Sequence, residues 1–186
     1  MLTEDYIMRM ISQALAVLMT ALGLKKAGKY REALQVYDQA IETLLGLNHH
    51  LVNQLEDSAI LDKLTIMEKL DVERLLVLAD IYLEEAEVFH LLGDTQNDQS
   101  ARQRSLRLYL EVYLASEAST DQVLIQKIEA LRSKIACQSL PIESRLAVQD
   151  YIDRLLSTSD DFLASNGIKR IDLQADLSAL DRLDQQ

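Results

Sequence analysis

Tryptophan is absent from this chain, proline and cysteine occur once each, and glycine appears only five times. Sheets closed by tight turns consume more glycine and proline than that, so the shortage favours long helices. One cysteine, Cys137, leaves no internal disulfide, and with only three histidines there is no Cys/His zinc framework. Cys137 follows Ile135 and Ala136 late in an expected helix and reads as a small core residue. Positive charge is also short. Nineteen basic against 30 acidic residues give a net charge of −11. A duplex or an anionic bilayer is bound by a basic surplus that displaces counterions, so neither nucleic acid nor a membrane is an expected partner. Uninterrupted apolar runs such as Leu75 to Ala79 fall far below the roughly 20 residues of a membrane span. The first residues, Met1 to Tyr6, carry acids where a secretory signal carries basic and then apolar residues. The expectation is a soluble, cytoplasmic protein.

What the chain does have is apolar residues, 48% of the total, at helical period nearly throughout. Thr3 is a candidate N-cap with Glu4 and Asp5 in the first turn. Ile7, Ile11, Leu15, Leu18 and Leu22 then mark one face up to about Ala27, where Gly28 can close the helix in the left-handed conformation. Lys25, Lys26, Lys29 and Arg31 gather there, a cluster read as complementing the negative helix end rather than as a binding patch. A second helix is expected from Tyr30 to Leu45, ending at Gly46. Residues 48–69 should hold two short helices with a break near Glu56, the second capped by Asp57 or Ser58. A long helix from Asp71 to Leu92 closes at Gly93-Asp94. Thr95 to Ser100 reads as a turn and Ala101 to Ala115 as helix. Ser119 to Gln122 has the form of a capping box for a helix reaching about Ala136. Pro141 suits the first position of a helix over Ile142 to Leu156. The tail adds a short helix closed by Asn166-Gly167 and an amphipathic segment from Asp172 to Leu183. The fold class is all-α: antiparallel helical hairpins stacked as a short solenoid or compact bundle.

Gly28, Tyr30, Ala33, Tyr37 and Ala40 fall at the spacing of a helix turn, an aromatic, a small residue, an aromatic and a small residue. All five match the second-helix signature of the tetratricopeptide hairpin, in which alanines let helices approach and aromatics fill the space beside them. Ala21 stands at a small position of the first helix. Leu24 replaces the usual tyrosine, and Leu45 stands where the family has proline. Ala86, Phe89, Gly93, Ser105, Tyr109 and Val112 resemble a second, degenerate hairpin, with seven residues inserted in its turn. The chain thus resembles the small tetratricopeptide-like proteins of Gram-positive bacteria. It is expected to form one all-helical domain over 1–186. That domain divides into a hairpin over 3–46, connecting helices over 48–69, a degenerate hairpin over 71–115, a third helix pair over 120–156 and a polar tail over 157–186.

No nucleophile–base motif, phosphate-binding glycine loop or Cys/His signature occurs, so no catalytic residue, metal ligand or cofactor is assigned. Glu87-Val-Phe-His90 has the Glu-x-x-His spacing of di-iron bundles. A second such motif is missing, and His49-His50 reads as a helix-end pair. The acids are more informative. Asp80, Glu84 and Glu87 form one stripe, with Glu85 beside it, toward a helix C-terminus that disfavours negative charge. Ion pairs with Arg102, Arg104 and Arg107 are the expected compensation. The resemblance implies a groove lined by the first helix of each hairpin: Leu15, Leu18, Leu22 and Lys25, with Asp80, Leu83, Glu84, Glu87 and His90. It also implies a protein or peptide partner, a basic and partly apolar segment suiting that lining, and no catalysis. The alternative is an enzyme or small-molecule-binding regulator with an acidic inter-helix pocket. Leu173, Leu177, Leu180 and Leu183, flanked by Asp176, Asp181 and Asp184, suit a terminal cap, a dimer contact or an internal groove ligand.

Overall fold

The computed structural model describes residues 2–52, 54–66, 68–116 and 121–183, and the side chains of 2–4, 49 and 50 lie outside that description. The described chain is all-α apart from a two-stranded ribbon. Its helices are α1 (Leu2–Lys26), α2 (Tyr30–Leu45), α3 (His49–Val52), α4 (Asp57–Lys63), α5 (Val72–Leu92) and α6 (Thr95–Ala115). They continue with α7 (Gln122–Arg132), α8 (Ile142–Leu156), α9 (Asp160–Ser165) and α10 (Arg170–Leu183). The ribbon pairs Thr65–Ile66 with Lys69–Leu70 antiparallel, turning through Glu68 at φ 63°. Packing separates two compact units, residues 1–108 and 109–186, with the division inside α6.

In the first unit α1 and α2 form a hairpin, and α5 packs on both. The hairpin turns at Gly28, φ 74°, where the Lys29 N–H donates to the Leu24 carbonyl and the Gly28 N–H to that of Lys25. These two bonds satisfy the last carbonyls of α1 as a glycine-closed helix end requires. The end of α5 repeats the device: Asp94 N–H reaches the Phe89 carbonyl and Gly93 N–H that of His90. The core between the three helices is built from fully buried alanines, Ala14, Ala21, Ala33, Ala40, Ala79 and Ala86, with Tyr37, Ile41, Leu75, Leu78 and Ile81 between them. Arg74, almost wholly buried, is held by Asp71 at 2.8 Å and donates to the Leu44 carbonyl at 3.3 Å, tying the start of α5 to the end of α2.

The structure corrects several sequence expectations. Thr95 to Ser100 is not a turn but the start of α6. Asp94 supplies the cap, its carboxylate accepting from the Asn97 backbone N–H at 3.1 Å, so the extra residues of the second hairpin lengthen a helix instead of a loop. Glu56, not Asp57 or Ser58, occupies the cap position of α4. The helix is already formed at Leu2, so Thr3 lies inside α1. Ser119 lies outside the described residues, and the cap of α7 is Asp121, which accepts from Val123 N–H at 2.9 Å and Leu124 N–H at 3.2 Å. That helix stops at Arg132, and the Ser133 hydroxyl donates back to the Ala130 carbonyl. Cys137 therefore sits half-exposed in a short 3-10 turn, not in a helix core. Pro141 is the residue before α8 rather than its first.

The second unit is held by buried Tyr113 and Tyr151, edge to face at 4.8 Å between ring centres. Arg154 donates to the carbonyls of Tyr113, Leu114 and Ser116, closing the end of α6. In the tail, α10 packs on α8, burying Leu173 and Leu180, and Asp176 accepts from Arg132 at 2.7 Å.

The new start of α6 is open to test. Amides of residues 98–104 should exchange slowly with solvent deuterium, and Asp94→Ala should cost about 1 kcal/mol of stability. Fast exchange across those amides would restore the turn.

Candidate functional site

Helix α5 carries two kinds of acid on two faces, and the contrast locates the site. Asp80, Glu84 and Glu87 recur at i, i+4 and i+7 on the half-exposed side, with Leu83 half-buried among them. Tyr82, Glu85 and Phe89 recur at i, i+3 and i+7 on the side that looks toward α2 and α6.

On the first face Lys25, near the end of α1, forms ion pairs with both Glu84 and Glu87, the latter at 2.5 Å. Burial alone would lower the Lys25 pKa, but the two carboxylates outweigh it and hold the ammonium above its ordinary value. Glu84 and Glu87 thus find their cation on the neighbouring first helix. Two of the arginines of α6 pair elsewhere: Arg102 takes Asp98 at 2.5 Å, and Arg104 takes Asp57 at 2.8 Å. Tyr37, wholly buried on α2, brings its hydroxyl near Glu84 without a hydrogen bond of ordinary geometry. Burial first, then the charges of Glu84, Glu85 and Glu87, drive its phenol further from ionisation.

Of the residues expected to line a groove, the structure brings Lys25, Glu84 and Glu87 into contact. Leu15 is exposed, Leu22, Asp80 and Leu83 are half-buried, and Leu18 is buried in the core. His90 is exposed and meets Asp98 at 3.2 Å, so Glu87 and His90 turn to two different partners, Lys25 and Asp98. Among the described residues no group of three or more His, Cys, Asp or Glu side chains could hold a metal ion.

The second face opens on a cavity of about 460 Å³ lined by Leu34 and Asp38 of α2, Tyr82, Glu85 and Phe89 of α5, and Asn97, Ser100, Ala101 and Arg104 of α6. Exposed Asn97 and Ser100 bring it to the surface. Glu85 is only 6% exposed. Burial, reinforced by Asp38 and partly relieved by Arg104, pushes its pKa up to about 8. The Arg104 guanidinium is committed elsewhere: its Nε donates to Asp57 at 2.8 Å, a terminal nitrogen donates to the Leu55 carbonyl at 2.8 Å, and it lies over the Tyr82 ring. Buried Tyr82 is itself pushed up to about 12, burial outweighing Arg104.

Sequence reasoning placed Glu85 beside the acidic stripe without separating it. The separating signal is positional: Glu85 falls among Ile81, Tyr82, Ala86 and Val88, all buried. Asp38, Asn97, Ser100 and Arg104 were not singled out as a site, because the cavity needs α6 to begin at Thr95.

Compared with known proteins, the chain matches no family model, no curated protein and no solved structure.

Glu85 makes stability depend on pH. Its folded pKa, about 8, stands above the ordinary value of 4.5, so the folded state holds the proton more tightly. The stability this confers is complete below about pH 4.5 and is lost as pH rises through 8. The unfolding free energy of the wild type should therefore fall across that window relative to Glu85→Gln, by at least about 1 kcal/mol. Parallel pH profiles in urea titrations would show an ordinary, solvated carboxylate instead.

Proposed function

We propose that the chain is a non-catalytic protein-binding module of tetratricopeptide-like type, and that it receives a peptide segment with apolar and basic side chains along α1 and α5. The observation that carries this reading is the uncovered apolar line of α1. Met8, Leu15 and Met19 share one face of the helix and are 54%, 44% and 68% exposed. Apolar side chains left in water as a contiguous patch beside a polar rim mark a binding surface. The rim here is the half-exposed face of α5, with Asp80 and Glu87, in a chain of net charge −11. A partner that meets both the apolar line and the acids is apolar and basic, and charge of that sign also speeds its approach.

A bilayer would satisfy the same apolar line in principle. By length and composition α1 is long and apolar enough to cross a membrane, a property hidden from a count of uninterrupted apolar residues by Ser12, Gln13 and Thr20. Two facts favour the peptide. The other side of α1 is committed to the core through Met10, Ile11, Ala14, Leu18 and Ala21, and insertion would strip those contacts away. Lys25 would also have to leave two carboxylates.

Selection of peptides from a displayed library tests the proposal. Enriched sequences should alternate apolar residues with Lys or Arg. Leu15→Asp and Met19→Asp should weaken their binding at least about tenfold, some 1.4 kcal/mol, while melting as the wild type does. No enrichment, acidic consensus peptides, or binding indifferent to both substitutions contradicts it. Binding to phosphatidylglycerol vesicles that the same substitutions abolish would replace the peptide with a membrane. A dimer that they dissolve would replace it with a second copy.

A further inference from the structure

Two of the three side chains on the exposed apolar line of α1, Met8 and Met19, are thioethers. We propose that they form an oxidation site, at which a hydroperoxide converts both to sulfoxides and so releases the peptide from α1. Release rests on the peptide-binding role proposed for this face, whereas oxidation of the two residues does not.

The chain has five methionines, and the three with described side chains, Met8, Met10 and Met19, all lie on α1. Their surroundings divide them. Met8 and Met19 are 54% and 68% exposed, whereas Met10 is 7% exposed and belongs to the buried core beside Ile11 and Ala14. Met19 is the most exposed of the described large apolar side chains of this helix. Three turns of helix separate the exposed pair, so the two lie within about 20° of each other around the axis. Leu15 stands between them. A peroxide must touch the sulfur to oxidise it, so the two exposed thioethers are open to it and Met10, on the same helix, is shielded.

The step needs no catalytic residue. The methionine sulfur donates a lone pair to the terminal oxygen of the hydroperoxide, and the O–O bond breaks. The other oxygen takes the proton of the transferred hydroxyl and leaves as water, or as an alcohol from an organic peroxide. Sulfur loses two electrons, the peroxide gains them, and the side chain ends with one more oxygen. A sulfoxide reductase reverses the step: two thiols become a disulfide, and the oxygen leaves as water.

A sulfoxide changes what this face can bury. The thioether is apolar and adapts to irregular partners. The sulfoxide oxygen is a polar acceptor that gives up its water when an apolar side chain covers it. Oxidation of both residues leaves Leu15, 44% exposed, as the apolar remainder of the three. The fold is spared, because the new oxygens stand in water while Met10, Ile11, Ala14, Leu18 and Ala21 keep the other side of α1 in the core. Oxidation therefore acts on binding and not on folding.

Graded treatment of the full chain with hydrogen peroxide, followed by peptide mapping in a mass spectrometer, tests the site. Met8 and Met19 should each gain one oxygen several-fold faster than Met10, and the treated chain should melt as the untreated one does. A peptide enriched on the reduced chain should bind the oxidised chain at least about tenfold more weakly, and sulfoxide reductase with dithiothreitol should restore it. The double variant Met8→Leu, Met19→Leu keeps the face apolar and leaves the half-exposed thiol of Cys137 in place. It should bind nearly as the wild type does and lose nothing on peroxide treatment. Overturning results are equal oxidation of Met10 in the folded chain, full affinity of a chain oxidised at both sites, or an equal loss in the double variant, which would move the effect to Cys137. Failure of the peptide-binding role itself looks different: the reduced chain enriches no peptide, and release falls with it whatever the oxidation rates.

Discussion

Close approach of three helices through alanine is the constraint on which the first unit depends. Ala14 and Ala21 on α1, Ala33 and Ala40 on α2, and Ala79 and Ala86 on α5 have no exposed surface. Interaxial distance is set by the side chains at the contact, and a methyl group permits the shortest. Larger residues fit between the alanines rather than on them: Tyr37 lies one turn from each of Ala33 and Ala40 and is wholly buried. A core at this density leaves little room for collapse or expansion.

The same closeness shapes the electrostatics. Lys25 can reach Glu84 and Glu87 because α1 and α5 lie side by side, so the negative charge gathered toward the end of α5 is offset in part by a neighbouring helix. About 100° around α5 from Glu84, Glu85 is buried at the cavity lined by α2, α5 and α6, where Arg104 only partly relieves the cost of its charge. An acid on the apolar side of a helix costs stability unless it stays protonated or finds a cation, and it is retained here at the edge of a cavity. The two faces of α5 thus separate two candidate roles: an ion-paired rim beside the uncovered apolar line of α1, and a secluded carboxyl in a small polar chamber.

Much of the fold was legible because helix ends are chemically marked. Gly28, Gly46, Gly93 and Gly167 each close a helix with positive φ, and the Gly28 to Ala40 spacing placed α2 to the residue. The reading lost accuracy where polar residues do two jobs. Thr95 to Ser100 has the composition of a turn, yet Asp94 caps it and the following apolar residues hold it helical. Apolar periodicity alone would continue α7 to about Ala136, whereas the helix ends at Arg132 and Cys137–Ser139 forms a separate short turn. The site was partly legible. The acids of α5 stood out in the sequence, but their partner did not, because a lysine 59 residues away becomes adjacent only through tertiary packing. The distinction between Glu84 and Glu85 is one step along a helix and 100° around it, visible only once the neighbours of each face are known.

The central claim, that alanine-mediated approach of α1, α2 and α5 organises both faces, is tested most directly by enlarging one alanine. Ala33→Leu should lower the unfolding free energy in urea by about 1–3 kcal/mol, whereas Gln35→Leu, on the exposed side of the same helix, should change it by less than about 0.5 kcal/mol. Equal stability of Ala33→Leu and the wild type would mean that the helices stand further apart than described and that the account built on their closeness is wrong.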